Sequence, residues 1–171
     1  MIDAEVRGTE VSEAPGRLAE LYRRHAPEAA RFAYLLTGDR ALAEDLTQEA
    51  FVRMYARFRD LRNPDAFPWY LRKTVLNLAR SHFRRANVER AYVRSESRVP
   101  VSPQPDLGSR EEMWQALLGL PQRQRAAIVL RYYEDLSEKD TADVMGCPVG
   151  TVKSLVSRGL ERLRGDMSRG E

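Results

Sequence analysis

Apolar residues recur three and four positions apart through most of the chain, and no run alternates as a strand would, so the pattern predicts an all-α protein. Leu18, Leu21, Tyr22, Ala29, Phe32, Ala33 and Leu36 outline a helical pair or one long helix, which Thr37-Gly38-Asp39 ends. A second helix is expected from about Arg40 to Arg59. Its apolar side is Leu42, Leu46, Ala50, Met54 and Phe58, with Phe51 and Tyr55 beside it. Pro64 and Pro68 set the start of a third helix near Ala66 to Trp69, and Phe67, Leu71, Val75, Leu78 and Phe83 can face a core. From Tyr92 to Ser109, three prolines, four serines and no helical period mark a flexible linker. The chain therefore divides into two small helical domains, 16–91 and 110–166, joined by the 92–109 linker, with four helices expected in each. Residues 1–15, acidic and polar, are expected to form a disordered tail.

The segment LSEKDTADVMGCPVGTVKSLVSRGLERLR, Leu136 to Arg164, reads as two short helices around a tight turn. Ser137 can cap the first, with Asp140 three residues on in the place of a capping-box acid. Gly146 suits a left-handed stop, and Pro148 suits the first turn of the second helix. In that second helix Val152, Val156, Leu160 and Leu163 share one stripe. At about 100° per residue, Thr151, Ser154, Ser157, Arg158 and Glu161 fall opposite, with Lys153 flanking them. An apolar anchor beneath hydroxyls and cations is what a helix in the major groove requires. An amphipathic hairpin with a solvated polar face has the same spacing.

Two other faces carry charge. On the second helix, Glu44, Asp45, Gln48 and Glu49 are neighbours at three-and-four spacing; charge alone favours a solvated face there. On the third, Arg72, Lys73, Asn77, Arg80, Arg84 and Arg85 lie off the apolar stripe. Aromatics interleaved with cations and an amide suit single-stranded DNA, whose bases stack and whose phosphates need neutralising. Phe67 and Trp69, taken singly, belong more readily to a core. The net charge is only +3, but residues 62–90 carry 7 basic and 2 acidic side chains, between an acidic start and a nearly balanced end. That band points to one localised polyanion contact. Arginine supplies 25 of the 28 cationic residues, which with the abundant alanine suggests a GC-rich bacterial genome.

Other classes fit poorly. No stretch approaches the roughly 20 apolar residues of a membrane span, and the polar N-terminus has no signal-peptide pattern, so a cytoplasmic protein without membrane insertion is expected. One cysteine, Cys147, and two histidines, His25 and His82, offer neither an internal disulfide nor a zinc set. No nucleophile–base pair or phosphate loop is evident. Hence no catalytic residue, metal or cofactor is expected.

In order, LAELYRRHAPEAARFAYLLTGD, ALAEDLTQEAFVRMYARF, FPWYLRKTVLNLARSHFRR and LPQRQRAAIVLRYYEDLSEKDTADVMGCPVGTVKSLVSRGLERLR resemble an extracytoplasmic-function (ECF) sigma factor of the sigma-70 family, of actinobacterial type. The resemblance spans nearly all of Gly16 to Arg164. It implies sigma region 2 before the linker and sigma region 4 after it. It also implies a promoter-specificity subunit of RNA polymerase, active in stress response. The partners implied are core polymerase, through the clamp helices of its largest subunit and its flap region, promoter DNA, and an anti-sigma factor.

By that resemblance Asp45, Gln48 and Glu49 meet the polymerase clamp, turning the acidic face into an interface. Asn63, Lys73, Asn77, Arg80 and Arg84 meet the −10 element, and Thr151, Lys153, Ser154, Ser157 and Arg158 the −35 element. Three positions depart from the family. Tyr70 stands where tryptophan is common, Leu155 where an arginine often follows the Lys-Ser pair, and Ser157 is too small to press on a thymine methyl. These leave the −35 sequence open. The competing reading is a stand-alone helix-turn-helix regulator, which would bind duplex DNA as a dimer without polymerase.

Overall fold

The computed structural model describes residues 13–58, 63–93 and 109–167. Most of the expected 1–15 tail and the linker between 94 and 108 lie outside these residues. The helix α1 (Glu13–Thr37) already includes residues 13–15. It is one helix and not a pair, and it runs through Pro27. Pro27 lacks the N–H that would bond four residues back to Arg23. Both residues are exposed, so water can take the orphaned carbonyl and the helix continues. Among its described residues the N-terminal block thus has three α-helices and a single 3-10 turn, where four helices were expected.

Gly38 closes α1 at φ +72°, a conformation that disfavours a side chain. Asp39 then caps α2 (Arg40–Phe58), its Oδ1 accepting from the Leu42 N–H at 3.0 Å. Asn63 does the same for the 3-10 turn Pro64–Ala66, its Oδ1 accepting from the Asp65 N–H at 3.0 Å. The helix α3 (Phe67–Val93) follows directly. Phe32 of α1, Ala50, Phe51 and Met54 of α2, and Phe67, Leu71 and Val75 of α3 are buried together. Phe51 and Phe67 meet at 5.8 Å between ring centroids.

The C-terminal block contains α4 (Ser109–Gly119), α5 (Gln122–Ile128), a π-helical turn Val129–Tyr133, α6 (Glu138–Met145) and α7 (Val149–Met167). Four α-helices were expected, and four are present among the described residues. Ser137 caps α6 as expected, accepting from the Asp140 N–H at 3.0 Å. The capping-box acid is a correction. The Ser137 hydroxyl donates to Asp140 Oδ2 at 2.6 Å, so that carboxylate is taken up by the hydroxyl. Gly146 stops α6 in the left-handed region at φ 64°. Pro148 sits just before α7, its carbonyl accepting from Thr151 and Val152 N–H.

The two blocks pack against each other. Tyr34 of α1 stacks on Trp114 of α4, with centroids 4.8 Å apart and planes 23° apart. The Leu118 side chain fills the space over Gly38, where an added Cβ would come within 2.7 Å of it. On α3, Leu76 and Ala79 are each 2% exposed, and with Phe83 they share a narrow cleft with Gln122, Arg123 and Ala126 of α5. Helix α3 is therefore buried on two sides. One carries the expected Phe67, Leu71, Val75 and Leu78; the other is turned to the C-terminal block.

Candidate nucleic-acid and protein-binding surfaces

Helix α7 sets out its chemistry most simply. Val152 and Leu163 are buried, and Val156 and Leu160 are half-buried. Gly159, outside the expected stripe, is buried where α7 crosses α5; a Cβ there would lie 2.5 Å from Ile128 Cδ1. On the outer side Lys153, Ser154, Ser157 and Arg158 are exposed, and Thr151 is half-buried. Their contacts are weak or local. Lys153 Nζ is 3.5 Å from Glu138 Oε2, Ser154 donates to the Gly150 carbonyl at 3.0 Å, and Ser157 donates to Glu161 at 3.4 Å. Exposed ion pairs of this kind hold little free energy, so Lys153 is available to a phosphate. All five residues expected at duplex DNA thus lie along one helix.

Asp45, Gln48 and Glu49 are exposed together on α2. Glu49 pairs with Arg53 at 2.6 Å, an exposed contact one turn on. The same surface holds a feature that the periodicity did not suggest. Val52 is 70% exposed, Tyr22 and Tyr55 are each 39% exposed, and together with Leu18 and Phe51 they line an apolar groove that reaches Gln48. In angle Val52 falls among Gln48, Asp45 and Glu49, opposite Leu46 and Ala50. An apolar residue in the middle of a polar face was the available signal.

Helix α3 divides its polar residues. Asn63, Asn77 and Arg84 are exposed, and Lys73 and Arg80 are half-buried. The Asn63 side-chain carbonyl is used as a cap, and the cap makes no use of its amide N–H groups. Lys73 Nζ lies 4.7 Å from the Trp69 ring centroid, a cation–π contact, and Trp69 meets Tyr70 edge-on at 4.7 Å. Arg80 is drawn inward and donates from Nη1 to the Met145 carbonyl at 3.0 Å. Burial, then the nearby Arg123, pushes its pKa down; an arginine nevertheless keeps its charge. Arg72 is engaged more fully, its Nε donating to Glu134 Oε2 and its Nη2 to Glu28 Oε1 at 3.1 Å.

Among the described residues, no group of three His, Cys, Asp or Glu side chains is gathered as a metal site would need. No helix of these residues is long and apolar enough to cross a membrane.

The family model for sigma-70 region 2 matches residues 21–88, and that for sigma-70 region 4 matches residues 110–163. The chain is 37% identical over 178 residues to the ECF RNA polymerase sigma factor SigE of Mycolicibacterium smegmatis, covering 94% of this chain and 67% of that protein. It is 32% identical over 141 residues to the RNA polymerase sigma-E factor of Streptomyces coelicolor, covering 80% and 78%. Among solved structures it resembles the sigma factor RpoE of Bartonella quintana, crystallised with the anti-sigma factor NepR. That match has a TM-score of 0.73 and 25% identity, and covers 89% of this chain and 97% of the other. CnrH, solved with the cytosolic domain of CnrY, shares the fold at a TM-score of 0.64 and 23% identity, over 90% and 89%.

Proposed function

This chain belongs to the sigma-70 family as an ECF RNA polymerase sigma factor that directs promoter-specific transcription initiation, and we propose the following division of its work. Residues 16–91 act as region 2 and 110–166 as region 4. Helix α7 lies in the major groove of the −35 element with Thr151, Lys153, Ser154, Ser157 and Arg158 toward the DNA. The observation that carries this assignment is the split of α7, with Val152 and Leu163 buried beneath and Lys153, Ser154, Ser157 and Arg158 exposed. Hydroxyls and cations on a buried apolar base can reach base edges and phosphates together.

Asn63, Lys73, Asn77, Arg80 and Arg84 hold the opened −10 element. Capture of unstacked bases there offsets part of the cost of melting the duplex. Asp45, Gln48 and Glu49 dock on the clamp helices of the polymerase largest subunit, with the groove at Tyr22, Val52 and Tyr55 adding apolar area beside Gln48. Neither DNA contact need be strong. Polymerase holds both blocks at a set spacing, so the second contact forms at high effective concentration. The protein carries no catalytic chemistry of its own and acts in the cytoplasm. An anti-sigma factor binds it, a reading supported by the sigma factor RpoE of Bartonella quintana, which has the same fold and was crystallised with the anti-sigma factor NepR.

Run-off transcription with core polymerase tests the whole reading: absence of promoter-dependent initiation in the presence of this protein would refute it. The docking face has a separate test. Asp45→Arg should weaken binding to core polymerase at least tenfold while leaving helical content unchanged. An unaltered affinity would reject that assignment.

A further inference from the structure

Each side chain of α7 assigned to DNA is a cation or a hydroxyl, yet the middle of that face holds a carboxylate. From Thr151 to Arg162, Glu161 is the one acidic residue. At about 100° per residue it lies about 20° from Ser154 and about 180° from Val152, which is wholly buried. It therefore points straight away from the core, toward whatever α7 is laid against. Helical side chains lean toward the helix N-terminus, so Glu161 reaches back over Ser157, one turn earlier. The Ser157 hydroxyl donates to Glu161 Oε1 at 3.4 Å, a long bond that draws the carboxylate toward Ser154. Both residues are exposed, and with Lys153 and Tyr132 they line one open groove. A side chain larger than serine at 157 would stand in that path.

An anion in this place has a cost. Laid in a major groove it sits between two rows of phosphates, and like charges facing each other weaken binding. A carboxylate only accepts hydrogen bonds, and the donors on major-groove base edges are the amino groups of cytosine and adenine. Adenine carries the N7 acceptor beside its amino group, where it would face the second carboxylate oxygen; cytosine has no such neighbour on its own edge. We infer that Glu161 is a base-reading residue that takes the N4 amino group of a cytosine in the −35 element, with Ser157 as its positioning residue. The inference rests on the −35 assignment of α7. Arg158 precedes Glu161 by three residues, about 4.5 Å along the helix, against about 3.4 Å between base pairs. The cytosine therefore belongs to the base pair next to the one that Arg158 meets. The small Ser157 gives up contact with a thymine methyl and makes room for this one.

The test uses the full chain with core polymerase on a promoter library in which the −35 bases vary, read by transcript sequencing. Glu161→Ala should lower the preference for cytosine at one base pair about tenfold and leave the other positions as they are. Glu161→Gln should move the preference at that pair toward adenine, whose N6 and N7 an amide meets together. Ser157→Ala should lower the cytosine preference about threefold, and should change nothing further at that pair in the Glu161→Ala background, because it acts through the carboxylate. All three substitutions lie on the exposed face and leave the core untouched. Uniformly stronger initiation from every −35 sequence with Glu161→Ala would overturn the inference, leaving a carboxylate that only repels phosphate. An unchanged sequence profile would overturn it as well. Failure of the α7 assignment itself looks different: initiation by the wild type would then show no dependence on −35 sequence at all.

Discussion

Helices α3 and α7 are both assigned to DNA, yet they are built on different plans. Helix α7 has one broad buried side and one open side, where Ser154 and Ser157 bond within the helix and Lys153 pairs with Glu138 of α6. Helix α3 is buried on two sides, and Arg72 and Arg80 are bonded to the other block. The difference teaches that a basic face on a helix is not by itself a free face. How much of it can meet a ligand depends on what else the fold has placed against it.

The sharpest way to break this comparison is at Leu76, on the second buried side of α3. Leu76→Ala should lower stability by about 2–5 kcal/mol, as for other buried leucines. A loss in chemical denaturation much below that range would mean the second side is hardly a core. At Gly159, where α7 crosses α5, Gly159→Val should cost about 1–3 kcal/mol through overpacking against Ile128. A smaller cost in the same measurement would show that the Ile128 side chain simply swings aside. On the open side of α7, Arg158→Ala should relax discrimination at one −35 base pair by about tenfold. Equal weakening across a library of −35 sequences would place Arg158 on phosphate alone.

The smallest effect concerns pH. His25, against Phe67 at 5.4 Å, has its pKa held below the ordinary 6.5 by burial, then by Arg24, with Arg72 adding to the effect against the opposing Glu28. The unfolded chain then binds more protons than the folded one. Stability should therefore fall as pH drops through 6.5 and level off below the folded pKa. His25→Gln should flatten that fall in denaturation midpoints compared between about pH 7.5 and pH 5.5. An identical pH profile would remove His25 from the account.

Periodicity made the all-α class and the open face of α7 legible, and residue type marked the cap at Ser137 and the stop at Gly146. Each depends on residues close in sequence, with one partner beneath. The unbroken passage of α1 through Pro27 was not legible, because it depends on solvent reaching one carbonyl. Nor was the second buried side of α3. Leu76 and Ala79 look like stray apolar residues beside cations until the C-terminal block is placed against them. The clamp on Arg72 joins residues 62 positions apart, and the Arg125 bond to Leu36 joins residues 89 apart. Val52 could have been found by its place among Asp45, Gln48 and Glu49, though its groove with Tyr22 also needs α1 beside α2.

Arg125 shows what the two-sided helix means for a chain made from one end. Its guanidinium bonds to Leu118 and Leu120 within its own block and reaches Leu36 only when both blocks exist. Translation completes α3 first, and at about 5–20 residues per second the rest of the chain takes about 4–16 s to emerge. For that interval Leu76 and Ala79 stand bare on the ribosome, a greasy strip beside a row of arginines. The nascent N-terminal half is then at its stickiest, and its order of synthesis makes solubility a matter of timing.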